Sequence, residues 1–146
     1  MADDSATDLG SGALTLQPLS GVPEVAAGDD LAEIVLTAVA ATGWALRDRD
    51  VLVIAQKIVS KAEGRAVFLD DVTPSARAVT LAAEVDKDSR LIELVLAESV
   101  RVVRQRPGVL IVEHCSGVVL ANAGIDASNV APEDGRERVL LLPKDA

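Results

Sequence analysis

The stretch "QKIVSKAEGR" (residues 56–65) places two lysines, an arginine, a serine and a glycine directly after the apolar run "VLVIA" (residues 51–55). Lys57, Lys61 and Arg65 have the charge to neutralise a polyphosphate, and Gly64 would permit close backbone approach. The same residues also read as a solvated strand end with snorkelling lysines. A second stretch, "NAGIDASNV" (residues 122–130), gathers Asn122, Asp126, Ser128 and Asn129 around Gly124. Hard oxygen donors of this kind suit Mg²⁺ or Mn²⁺, which take one or two carboxylates together with phosphate oxygens and water. The alternative is an Asx-type turn whose side chains bond to nearby backbone. A third stretch, "GVPE" (residues 21–24), lies just before "GDD". It is either a loop of exposed backbone N–H groups or a plain turn. Taken one at a time, all three stretches stay open.

Other chemistries are excluded more firmly. The chain has no Walker A loop, no dinucleotide GxGxxG, no CxxC and no HExxH. His114 is the sole histidine, which rules out a histidine-rich metal site. A lone histidine beside a turn is expected at the surface rather than in catalysis. A net charge of -9 argues against a nucleic-acid partner. Phe68 and Trp44 are the only aromatic residues, so no base-stacking platform exists and the core must be aliphatic. Cys115 stands alone, which forbids an internal disulfide and points to a reducing compartment. No signal peptide and no apolar run of membrane-spanning length are present, so the chain reads as cytoplasmic with no membrane partner.

The elements that must position these residues follow from periodicity. Residues 1–13 are small, polar and acidic and are expected to be disordered. "LTLQPL" (residues 14–19) alternates as a strand. Asp30 and Glu33 resemble a capping box for a helix with the stripe Leu31, Ile34, Val35, Ala38 and Val39, stopping near Gly43. Residues 51–55 read as a buried strand and "RAVFL" (residues 65–69) as a weaker one. Thr73 and Pro74 offer an N-cap and first-turn proline for a helix through Val85. Asp88 can cap another helix with the stripe Leu91, Ile92, Val95 and Leu96. Residues 108–113, 117–121 and 138–142 read as strands, the first two joined by a hairpin at 114–116. The fold class is mixed α/β (α+β), a mixed sheet with helices. Strict β-α-β alternation fails in the C-terminal third, so a doubly wound Rossmann sheet is not expected.

In order, "GVPEVAAGDDLA", "DVLVIAQKIVSKAEGR", "RPGVLIVEH", "ANAGIDASNV" and "VLLLP" closely resemble the coenzyme F420-0:L-glutamate ligase (γ-glutamyl ligase) family, from about residue 14 to residue 143. The resemblance implies attachment of L-glutamate in γ-linkage to the phospholactate end of coenzyme F420-0. It also implies GTP as co-substrate, Mg²⁺ or Mn²⁺ as cofactor with K⁺ as a further candidate, and a homodimer. Val22, Pro23, Glu24 and Val25 would line the nucleotide, largely through backbone groups. Gln56, Lys61 and Asn129 would contact it too, Lys61 as the catalytic phosphate-facing charge. Asp126 would bind the metal. The implied mechanism is a two-step ligation through an acyl phosphate, without a covalent enzyme nucleophile.

Relatives in this family continue into a segment with an Asp-Thr pair for a second metal and a glycine-rich, arginine-containing stretch. Residues 14–146 are therefore expected to be the N-terminal part of a ligase domain that is truncated and inactive alone. The competing reading is a non-catalytic nucleotide-binding or dimerisation module.

Overall fold

The computed structural model describes residues 14–127 and 135–145. The expected tail at residues 1–13 and the nucleotide contact at Asn129 lie outside the described residues. In chain order the elements are α1 (Leu31–Ala41), α2 (Gln56–Ala62), β1 (Ala66–Phe68), α3 (Ala76–Val85), α4 (Ser89–Ala97), β2 (Ser99–Arg106), β3 (Val109–His114), β4 (Val119–Ala121) and β5 (Arg138–Leu140). Short 3₁₀ turns stand at Leu69–Asp71 and Asn122–Gly124. The strands form a β2-β3-β4 sheet and a separate β1-β5 pair, and every described pairing is antiparallel. This is the α+β class that the sequence indicates, and it is not doubly wound.

The core forms where two amphipathic helices cover one face of the larger sheet. On α3, Ala78, Leu81, Ala82 and Val85 recur at helical spacing, and all four are buried. Ile92 and Val95 of α4 and Leu110 and Val112 of β3 join them in one cluster with Ala123. Strand β3 alternates half-buried and buried residues throughout, as a sheet with one covered face should. The amide of Gly108 in the β2–β3 turn donates to the carbonyl of Val85 at 2.8 Å, tying the hairpin to the end of α3.

Caps decide where the helices begin. The Asp30 carboxylate accepts from the amides of Ala32 and Glu33, and Asp88 accepts from Arg90, both at the expected positions. For α3 the cap is Ser75 rather than Thr73. The Ser75 hydroxyl accepts from the Ala78 amide at 3.2 Å and donates to Glu93 at 2.6 Å, so it serves both helices. Thr73 and Pro74 lie in the segment before this cap, so Pro74 is not the first helical residue.

Two expected strands do not pair. Residues 14–19 and 51–55 have no ladder partner among the described residues, and Val51 and Val53 are 82% and 90% exposed. β-Branched content favours an extended backbone, but a strand also needs a neighbour to take its N–H and C=O groups. Conversely, β2 was not anticipated. Its register slips between Ser99 and Arg101 and again between Val102 and Arg104. The slips put Arg101, Arg104 and Arg106 all opposite the outward-facing residues Glu113, Ile111 and Val109. A period of two cannot be read through such irregularities.

Two stability predictions follow from these contacts. Ile92→Ala removes a fully buried branched side chain from the α3–α4–β3 cluster and is expected to cost about 2–5 kcal/mol in chemical denaturation. A cost below that of an exposed substitution such as Val79→Ala would contradict the assigned core. The second concerns Glu93, whose carboxyl is held below its usual range by hydrogen bonds from the Ser75 hydroxyl and amide. Its folded value lies below its unfolded one, so its contribution is present above the ordinary carboxylate range. That contribution is lost as pH falls through the folded value. The melting-temperature gap between the wild type and Glu93→Gln should therefore shrink on acidification through and below the ordinary carboxylate range. A gap that is constant with pH would contradict the Ser75–Glu93 bond.

Candidate functional site

Residues 56–62, expected to be a polar turn after a strand, form the helix α2 instead. The helix changes the geometry of the lysines. Lys57 and Lys61 stand four residues apart and so occupy one face, one turn above the other. Two carboxylates flank that face. Lys57 Nζ lies 2.7 Å from Asp126 Oδ2, and Lys61 Nζ lies 3.4 Å from Glu24 Oε1. All three sequence stretches that could do chemistry therefore meet at α2.

Gln56 does not face away from the helix for a ligand. Its amide donates to the buried Ser60 hydroxyl at 2.8 Å. Arg65 is also held inward, with its guanidinium 2.5 Å from Glu98 Oε2 and its Nε donating to the carbonyl of Leu142 at 2.9 Å. The polyphosphate role that its charge permits is thus taken up by structure. Gly64 does allow a close approach, but to protein. A Cβ there would meet that of Ala27 at 3.3 Å, beside the hydrogen bond from the Gly28 amide to the carbonyl of Ala62. Val25 anchors the same loop at 4% exposure, while Val22 is exposed. Pro23 and Glu24 border a cleft of about 390 Å³ whose other walls include Asp29, Asp30 and Glu33. That cleft is acidic, so the lysine face of α2 is the side where phosphates would be stabilised.

Asp126 is aimed by backbone. Its amide and carbonyl both pair with Leu140 of β5 at 2.9 Å, forming an isolated antiparallel bridge. Before it, Asn122 and Ala123 both adopt left-handed conformations with φ of 50° and 53°. Consecutive non-glycine residues in that region cost roughly 1–3 kcal/mol each and gather at functional sites. These two residues turn the chain sharply after β4, and Ala123 is completely buried. Asn122 Oδ1 is buried with no hydrogen-bond partner among the described residues.

His114 corrects a sequence expectation, being buried rather than at the surface. Its Nδ1 accepts from the Ser116 amide at 3.0 Å, and its Nε2 lies 3.5 Å from Glu98 Oε2. The ring thus braces the β3–β4 turn through Nδ1 and stands beside the Arg65–Glu98 pair, its Nε2 buried without a hydrogen-bond partner among the described residues. Lys57 is the residue that sequence reasoning left without an individual role. Its spacing from Lys61 was the available signal, and it was hidden by reading α2 as a turn.

Among the described residues no group of three or more His, Cys, Asp or Glu side chains converges as a metal cage. Asp126 nevertheless fits one part of a magnesium or manganese site, because its carboxylate already accepts a cationic ammonium at 2.7 Å. A single carboxylate completed by phosphate oxygens and water is within the habit of Mg²⁺.

The turn that aims Asp126 gives a direct prediction. A Cβ on Gly124 would lie 2.8 Å from Leu120 and from Leu142, at a φ of +68°. Gly124→Ala is expected to cost about 1–3 kcal/mol and to shift the Asp126 backbone. An unchanged denaturation midpoint would refute that packing.

The family model for F420-0:γ-glutamyl ligase matches residues 21–146. The chain is 42% identical over 132 residues to the coenzyme F420:L-glutamate ligase of Methanothermobacter thermautotrophicus, covering 90% of this chain and 51% of that protein. It is 42% identical to the Methanopyrus kandleri protein of the same name, with 90% and 49% covered. It is 43% identical over 126 residues to the Archaeoglobus fulgidus one, with 86% and 46% covered. The chain thus spans about half the length of the curated relatives it matches. With the ordered motifs and a family match over most of its residues, the chain belongs to the F420-0:γ-glutamyl ligase family.

Proposed function

We propose that this chain contributes the nucleotide- and metal-facing half of a GTP-dependent ligase that joins L-glutamate to coenzyme F420-0. The observation that carries the reading is the lysine face of α2, where Lys57 and Asp126 meet one turn from Lys61 and Glu24. Family membership supports the ligase and its substrates. The groups that complete the site would come from the part of the relatives' length that has no counterpart here.

The chemistry follows from what a carboxylate lacks. Its oxygen is a poor leaving group, so ligation first needs that oxygen phosphorylated. In the proposed first step the coenzyme carboxylate attacks the γ-phosphorus of GTP. The bond from that phosphorus to the β-bridging oxygen breaks, and GDP leaves. The amine of glutamate then attacks the acyl carbon, inorganic phosphate departs, and the amine proton passes to solvent. Lys61 neutralises charge on the transferring phosphoryl group, and Asn129 holds the nucleotide. The loop at Val22, Pro23, Glu24 and Val25 offers backbone groups, and Gln56 stands at the start of the lysine helix. Asp126 would hold the Mg²⁺ or Mn²⁺ ion, which supplies charge neutralisation across the phosphates. The protein's work is positioning and electrostatics, with no nucleophile of its own. That agrees with the structural employment of His114.

A second reading, a nucleotide-binding or dimerisation module without catalysis, is favoured by the exposed apolar residues 51–55. Product analysis separates the two. The enzyme bearing these residues should form GDP and glutamylated coenzyme, read by mass spectrometry. Lys61→Ala and Asp126→Ala should each lower kcat/KM by about 10²–10³-fold. Residues 14–146 on their own should show no turnover. Undiminished turnover by Asp126→Ala would remove the metal assignment. Turnover by this chain alone would remove the half-site reading.

A further inference from the structure

The Lys57–Asp126 contact carries an inference beyond the roles given to Lys61 and Asp126. We infer that Lys57 is an exchangeable counter-ion: it holds the Asp126 carboxylate while no divalent cation is bound and yields it when one arrives. This deepens the reading of Asp126 as a metal ligand and rests on it.

Four features of the contact support exchange over a permanent structural pair. Lys57 Nζ sits 2.7 Å from Asp126 Oδ2, so the ammonium occupies the space that a cation ligated by that oxygen would take. An Mg²⁺ or Mn²⁺ ion binds a carboxylate oxygen at about 2.1 Å, which leaves no room for the ammonium on the same side. The two side chains are 27% and 26% exposed, so water and ions reach the pair without unfolding. The partners also differ in rigidity. The backbone of Asp126 is fixed by two hydrogen bonds to the buried Leu140, whereas Lys57 carries its ammonium on a four-carbon stem with several rotatable bonds. Released Lys57 remains on the face of α2 that carries Lys61, one turn away.

This arrangement also orders binding. A divalent cation entering alone must displace an ammonium and then sit beside two lysines, which is electrostatically uphill. Phosphate oxygens entering with it offset both charges and give the displaced Lys57 a new partner. Metal and nucleotide therefore favour one another's binding, and by linkage the effect is reciprocal. The pair keeps the carboxylate from holding a cation in an empty site.

The probe is Mn²⁺ alone, without nucleotide, followed by the loss of the free-ion electron paramagnetic resonance signal on titration into the 146-residue chain. The variants are Lys57→Met, which keeps the stem and removes the charge, and Asp126→Asn, with circular dichroism as the check on folding. Lys57→Met should bind Mn²⁺ about three- to tenfold more tightly than the wild type, the range expected when a partly exposed ion pair stops competing. Lys57→Arg should return to wild-type affinity, and Asp126→Asn should lose binding. Where Lys57→Met does not fold, Lys57→Gln carries the same expectation. Equal or weaker Mn²⁺ affinity in the charge-removed variant, with binding still dependent on Asp126, would overturn the exchange and leave the metal reading standing. No Mn²⁺ binding by the wild type or by Lys57→Met would overturn both.

Discussion

The candidate site depends on β5 lying between β1 and Asp126. Leu140 pairs with Ala66 on one side and with Asp126 on the other, and the next amide, Leu141, donates to the carbonyl of Arg65. Residues 65 and 66 follow directly from α2, so this one strand sets the distance between the lysine helix and the carboxylate it faces. Leu140 and Val139 are essentially fully buried, which gives the strand its anchorage. The requirement for glycine at 124 belongs to the same constraint, because Leu142 packs where its Cβ would be.

Charge in this molecule divides into two kinds by what surrounds it. Arg65, Glu98 and His114 form an inward group whose exposed fraction is small, and each member has backbone or side-chain partners that fix it. Losing one would leave a partner's charge poorly solvated, which is costly. Lys57, Lys61, Asp126 and Glu24 form an outward group in contact with water. The Lys61–Glu24 pair is weak by distance and by the 85% exposure of Glu24, and exposed pairs of this sort contribute at most about 1 kcal/mol. A pair held that loosely can change partners, which suits ligand binding better than it suits stability.

Much of the fold was legible where local signals suffice. Asp30 and Asp88 cap α1 and α4 as their sequences indicate, and the Leu91, Ile92, Val95 and Leu96 stripe faces the core. The hairpin at 114–116 is closed by the His114 and Gly117 amides. What failed was set by tertiary context. Residues 51–55 have the composition of a strand without a partner, and α2 could not be seen while that strand was assumed to run into a turn. Strand β2 hides behind two register slips. The site stretches themselves were legible by residue type. Their meeting at one helix face was not, because Lys57 and Asp126 are brought together by β5 and by no local pattern.

The measurement that tests this account most directly is calorimetric titration of the chain with GTP in the presence of Mn²⁺, alongside Lys61→Ala and Asp126→Ala. Saturable binding by the wild type, lost in both variants while their circular dichroism is unchanged, is the predicted result. Binding of equal strength in all three, or none by a chain shown to be folded, would contradict a nucleotide and metal site on the lysine face of α2.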